Sequence, residues 1–170
     1  VDCVSFPRSV VVMGVSGTGK STIGTGLAQR LGLPFVEGDA LHPAANVAKM
    51  SAGIPLTDDD RAPWLDAIAA ELERPVVVAC SALKRAYRDR LRLAAPDLVL
   101  VYLHGTPELL AARLEGREGH FMPTSLLRSQ LDTLEEPQAD EDVIGADIAL
   151  RPDEIVDLVA GRLTEGEPDA

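Results

Sequence analysis

The stretch "GVSGTGKS", Gly14 to Ser21, constrains this chain more than any other eight residues in it. It follows the apolar run "SVVVM" (9–13) and precedes Ile23, Leu27, Ala28 and Leu31, apolar positions at helical spacing that stop at Gly32. A strand that turns through glycines straight into a helix points its backbone N–H groups inward, beside the positive end of the helix dipole. The result is a cradle for phosphate oxygens. The spacing G-x-x-x-x-G-K-[ST] adds a lysine that reaches the outer phosphates and a hydroxyl placed for Mg2+. Gly14, Val15, Ser16, Gly17, Thr18, Gly19, Lys20, Ser21 and Thr22 are therefore the expected nucleotide contacts, with Lys20 also catalytic and Ser21 a Mg2+ ligand.

Such a strand–loop–helix unit belongs in a parallel sheet, and the rest of the chain supplies one. "PFVEG" (34–38), "PVVVAC" (75–80), "LVLVYL" (98–103) and "ADIAL" (146–150) read as four more strands, most of them apolar on both faces. Strands of that kind are buried on both sides, beneath helices. Trp64, Leu65, Ile68 and Leu72 mark a helix opened by the capping pattern "TDDD", Thr57 to Asp60. Leu83, Tyr87 and Leu91 mark another. "TPELLAARL" begins one with Thr106 as cap, and Ile155, Leu158, Val159 and Leu163 mark the last. The expected fold is α/β in three layers: a five-stranded parallel sheet flanked by helices, within a single domain spanning 1–170. Its ligands belong at the carboxyl ends of the strands.

Charge narrows the partners. The formal net charge of −11 argues against nucleic acid and anionic membranes, and the apolar runs are strand-length rather than membrane-spanning. Basic residues concentrate in "KRAYRDRLR" (Lys84, Arg85, Arg88, Arg90, Arg92) and in "ARLEGREGH" (Arg113, Arg117), which suits a small anion better than a polymer. Cys3 and Cys80 lack ligand spacing and read as reduced thiols of a cytoplasmic protein without a secretory signal.

The remaining polar residues point to a phosphoryl acceptor. A guanine-reading "NKxD" is missing, and strand three, "VVVACSALK", ends without a carboxylate. The acids stand after strand two instead, as Glu37 and Asp39. Asp39 is the expected group to orient an acceptor hydroxyl and take its proton, unless it only caps the following helix. Glu37 is expected to hold the metal through a water. His42 and Asn46 share a face if "PAANVAKM" is helical, and both donate and accept, as a polyhydroxylated ligand requires. Arg61 suits a two-pronged carboxylate contact, and Ser81 and Lys84 lie at the end of strand three. Arg88 and Arg92, further along the same stripe, are expected to face solvent. The segment "RLEGREGHFMP" (113–123) has the glycines and arginines of a lid that brings Arg113 and Arg117 to the phosphates, with His120 near the acceptor. Arg113, Arg117 and Pro152 complete the expected nucleotide contacts. By themselves these residues describe a P-loop kinase of a small anionic acceptor. A shikimate or nucleoside-monophosphate kinase, and a sensor that binds nucleotide and sugar acid without turnover, stay open.

The motifs "GVSGTGKS", "GDALHPAANVAKMSAGIPLTDDDRAPWL", "CSALKRAYRDRLR" and "GREGHFMPTSLLRSQLDTLEEP", in this order, resemble the bacterial-type gluconokinases of the shikimate-kinase-like branch of P-loop kinases. The resemblance runs from about residue 9 to residue 150. It implies transfer of the ATP γ-phosphate to the 6-hydroxyl of D-gluconate with Mg2+, and commonly a homodimer. On that reading Asp39 addresses the reactive hydroxyl, His42 and Asn46 the polyol, and Arg61 and Lys84 its anionic parts. Two positions depart from the pattern. The strand-two pair, often D-x-D, reads "EGD", and Glu118 stands where some relatives carry a second basic lid residue.

Overall fold

The structure, a computed structural model, describes residues 6–115 and 124–165. Five parallel strands, β1 (Val10–Met13), β2 (Phe35–Glu37), β3 (Val77–Ala79), β4 (Val99–His104) and β5 (Val143–Asp147), form one sheet in the order β2-β3-β1-β4-β5. Seven α-helices accompany them among the described residues: α1 (Lys20–Leu31), α2 (Ala44–Ser51), α3 (Asp58–Glu71), α4 (Arg85–Ala94), α5 (Pro107–Glu115), α6 (Thr124–Thr133) and α7 (Pro152–Glu165).

The alternation of side chains along β1 explains the three layers. Val10 and Val12 enter a core with Ile23 and Leu27 of α1 and with Ile155 and Val159 of α7. Val11 and Met13 face the other way, into a core with Trp64, Leu65 and Ile68 of α3 and Leu91 of α4. Residues one apart on a strand point to opposite faces, so a central strand between two helical layers must be apolar at every position. All four residues of β1 have no exposed surface.

Local signals act where they were expected. Gly32 closes α1 in the left-handed conformation, its N–H donating to the Ala28 carbonyl. Thr57 and Asp60 form a reciprocal capping box at the start of α3. The Thr106 hydroxyl accepts the N–H of Leu109 at the start of α5.

Three expectations are corrected. Strand five runs over 143–147 rather than 146–150, because Val143 and Ile144 pair with Leu100 and Val101, while the Asp147 carboxylate accepts the Ala149 N–H and turns the chain away. The buried stripe of α7 takes Val156 in place of Leu158, which is exposed. Arg88 and Arg92 do not face solvent together: Arg88 is fully buried against Glu141, and Arg92 lies half-buried beside it. The basic character of α4 is moreover neutralised within the chain, through Lys84–Asp58, Arg85–Asp140, Arg88–Glu141, Arg90–Asp66 and Arg92–Asp89 pairs.

The β1–α1–β2 crossover passes over β3, whereas the chain after β3 crosses back to β4 on the far side of β1. The carboxyl ends of β1, β2 and β3 therefore open onto one crevice, at the place where the strand order reverses.

Candidate active site

The phosphate loop leaves β1 and enters α1 through Gly17 and Gly19, whose φ angles of 88° and 86° are left-handed and free of strain only for glycine. Thr18 sits buried between them, its hydroxyl donating to the Val15 carbonyl at 2.9 Å. The Lys20 ammonium folds back over the loop and donates to the same carbonyl at 3.2 Å. Ser21 and Thr22 are exposed in the first turn of α1. The Ser21 hydroxyl donates to a carboxylate oxygen of Glu37 at the end of β2. Two hard oxygen donors of adjacent elements thus meet beside the loop, a donor set suited to Mg2+, which keeps several waters and takes only one or two protein groups alongside phosphate.

On the acceptor side, Gly38 ends β2 because nothing larger fits: a Cβ there would lie 2.3 Å from the Ala79 carbonyl oxygen. The chain then makes a short 3-10 turn, Gly38–Leu41, which leaves Asp39 exposed. Asp39 caps neither that turn nor α2, whose N-cap positions are Glu37 and Pro43. The Trp64 indole N–H donates to the Gly38 carbonyl at 2.8 Å, and its ring stacks on His42 with centroids 4.2 Å apart. One buried side chain of α3 therefore fixes both the turn that carries Asp39 and the imidazole beside it.

The His42 tautomer follows from its neighbours. Asn46 Nδ2 donates to the Asp60 carbonyl at 2.8 Å and lies 3.2 Å from His42 Nδ1. Because an amide nitrogen only donates, Nδ1 must be the acceptor and the proton of the neutral ring sits on Nε2. Burial lowers the His42 pKa below its usual value, with Arg61 adding to the shift and Asp39 opposing it. The ring is accordingly neutral at pH 7 and presents an N–H donor.

A second cluster holds Arg61. Its guanidinium donates to the Leu56 carbonyl and to the Tyr87 hydroxyl, both at 3.0 Å, and lies over the Tyr87 ring. Tyr87 in turn donates to Asp58, which also accepts from Lys84 at 3.1 Å.

These groups converge. A cavity of about 250 Å³ brings Ser16 and Lys20 of the phosphate loop together with Asp39, His42, Arg61 and Ser81. The apolar Val47, Met50, Ile54 and Leu56 also line it. Other expected residues lie elsewhere. Asn46 is buried behind His42 and does not line the cavity. Lys84 stands outside the wall with its ammonium on Asp58. Arg113, in the last turn of α5, donates to the Ile148 carbonyl in the loop after β5, where Pro152 is exposed at the head of α7. Arg117, His120, Glu118 and Cys3 lie outside the described residues, as does most of the expected lid. Cys80 is a buried free thiol, and burial pushes its pKa up, so it stays protonated and inert.

Several residues at the site escape a reading of the sequence. Gln130 of α6 accepts the Ser16 N–H at 2.7 Å and lines the cavity, yet 114 residues separate the two. Trp64 and Tyr87 read as apolar stripe residues. The signal was their polar tips, since a buried indole N–H or phenol hydroxyl needs a partner.

A family model described as an AAA domain matches residues 10–137. The chain is 56% identical over 160 residues to the gluconokinase of Gluconobacter oxydans, covering 89% of this chain and 88% of that protein. A solved gluconokinase from Sinorhizobium meliloti superposes with a TM-score of 0.89 at 55% identity, covering 95% of this chain and 94% of that one. The shikimate kinase of Aquifex aeolicus superposes with a TM-score of 0.58 over 93% of this chain and 97% of its own, but at 15% identity it shares the fold alone.

Proposed function

Because the chain belongs to the gluconokinase family, we propose that it transfers the γ-phosphoryl group of ATP to the 6-hydroxyl of D-gluconate, giving ADP and 6-phospho-D-gluconate. The observation that carries this reading is a cavity lined by Lys20 together with Asp39, His42, Arg61 and Ser81. Phosphoryl transfer asks mainly for alignment and charge neutralisation, and the wall supplies both. The loop N–H groups hold the phosphates while Lys20 leaves the Val15 carbonyl for the transferring group. Asp39 orients the 6-hydroxyl and takes its proton. Arg61 receives the gluconate carboxylate. The Nε2–H of His42 and the Ser81 hydroxyl donate to or accept from the polyol between the two ends.

Asn46 and Lys84 take supporting roles in this scheme, Asn46 fixing the His42 tautomer and Lys84 holding Asp58 against Tyr87. Ser21 and Glu37 would hold Mg2+, which when bound neutralises phosphate charge. Arg113, Arg117, His120 and Pro152 keep their nucleotide, phosphoryl and acceptor assignments on the sequence pattern. A cytoplasmic homodimer completes the proposal on the family resemblance.

The test is ADP release with Mg·ATP against D-gluconate, other aldonates, shikimate and AMP, with the phosphorylated product quantified. Release matched one to one by 6-phosphogluconate, with gluconate alone, is the expected result. Turnover with another acceptor and none with gluconate would overturn the assignment of residues 39 to 61.

A further inference from the structure

Arg88 is a charged side chain with no exposed surface, and its partner Glu141 is 1% exposed. The pair is two-pronged: Nε donates to Oε1 at 2.7 Å and Nη2 to Oε2 at 3.2 Å. A buried ion pair gives little net stability over well-packed apolar residues of similar volume. What distinguishes this one is the third nitrogen. Arg88 Nη1 donates to the carbonyls of Ala82 at 3.0 Å and Leu83 at 3.2 Å, in the loop that follows β3.

That loop is strained and lies on the cavity. Ala82 has a φ of 43°, a left-handed conformation that its β carbon disfavours. Its neighbours on either side, Ser81 and Leu83, both line the cavity that Lys20 also lines. Upstream, the loop is tied to the sheet by the Cys80 N–H on the Val12 carbonyl. From the other direction Glu135, just beyond α6, donates its N–H to the Leu83 carbonyl and accepts the Arg85 N–H on its carboxylate. The kink at Ala82 therefore sets the direction of Ser81, and the Arg88 fork holds the kink.

We infer that Arg88, fixed by Glu141, is a positioning residue for the acceptor: it locks the Ala82 turn so that Ser81 and Leu83 form one wall of the gluconate site. The inference rests on the proposed reading of the cavity as the gluconate site. It assigns a role to a residue that touches neither substrate.

The test separates positioning from folding. Arg88→Met alone leaves the buried Glu141 carboxylate with only Arg92 at 3.3 Å and the Gln138 N–H, so the variant to compare is Arg88→Met with Glu141→Leu, in which neither charge of the pair remains and Arg92 keeps Asp89 and the main-chain carbonyl of residue 141. The double variant loses the donor to the Ala82 carbonyl and the Gln138 cap, so it is expected to melt several degrees lower yet to stay folded in the assay with the wild-type KM for ATP. With the wall misplaced by a fraction of an ångström to an ångström, its kcat/KM for gluconate falls by up to about 10²-fold, mostly through KM. Arg88→Lys, which keeps the charge but loses the planar fork, is expected to lie between the two. A double variant with wild-type KM for gluconate, or Arg88→Lys with no change in it, would overturn the inference and leave Arg88 a core residue. A wild type that ignores gluconate but phosphorylates another acceptor would overturn the proposed function instead, a separate outcome read in the same assay.

Discussion

Replacing Asn46 tests whether the His42 imidazole is held in one tautomer from behind. Asn46 is 3% exposed, and its single amide nitrogen serves both His42 Nδ1 and the Asp60 carbonyl. Asn46→Ala removes both donors and leaves a half-buried ring nitrogen without its partner. The expected loss is about 2 kcal/mol, the middle of the range for stranding a buried polar group. In a chain of this length that lowers the melting temperature by about 4–8 °C. Asn46→Asp makes the sharper test, because a carboxylate can only accept and must draw a proton onto Nδ1. In the wild type, burial holds the folded pKa of His42 below its ordinary 6.5, so its contribution to stability is present above that value and lost as pH falls through the folded pKa. Asn46→Asp reverses the direction, raising the His42 pKa and moving its contribution to the low-pH side. Ring nitrogen NMR across pH 4 to 9 reads both the tautomer and the shift. An Asn46→Asp protein in which His42 keeps the wild-type pKa and its proton on Nε2 would refute the reasoning.

Two further outcomes follow from neighbouring groups. Gly38→Ala drives a Cβ into the Ala79 main-chain oxygen, so β2 must part from β3 at its carboxyl end. Thermal denaturation is expected to show a loss of about 1–3 kcal/mol, and gluconate turnover is expected to fall more than ATP binding, since Glu37 and Asp39 flank the displaced residue. Asp60 is held at a pKa of about 2 by the Lys49 ammonium and then by Thr57. A lowered carboxylate pKa gives stability that is present above the ordinary value of 3.8 and lost as pH falls toward 2. The gap in melting temperature between wild type and Asp60→Asn should therefore narrow steeply over that window, and a gap undiminished at pH 2 would contradict the pairing.

How much of this was legible in the sequence depends on how far each cause reaches along the chain. The phosphate loop, the Gly32 stop and the Thr57–Asp60 cap are set by residues within a few positions of one another, and periodicity finds them. The doubly apolar β1 also announces the layer on each of its faces. Strand five slipped by three residues because "ADIAL" is as apolar as "VIGAD", and only the Asp147 side chain, turning to the Ala149 N–H, decides where the strand ends. At the site, Asp39, His42, Arg61 and Ser81 could be picked out from type and place, but their division of labour could not. Asn46 and His42 share a helical spacing that suggests two ligand contacts, whereas burial makes one the support of the other. Arg88 lies on a basic stripe that reads as solvent-facing, and its acid stands 53 residues away in a turn that no local pattern marks. Gln130 is similarly invisible until α6 is laid against the phosphate loop.

The most direct measurement is single-turnover transfer from ATP to D-gluconate in Asp39→Asn. The substitution preserves shape and removes the carboxylate that shares the cavity with Lys20. The account predicts that gluconate and ATP still bind within a few-fold of wild type, while the rate of 6-phosphogluconate formation drops by about 10²–10⁴-fold, the usual worth of a positioned general base. A variant that transfers the phosphoryl group at close to the wild-type rate would show that Asp39 does not serve the acceptor hydroxyl.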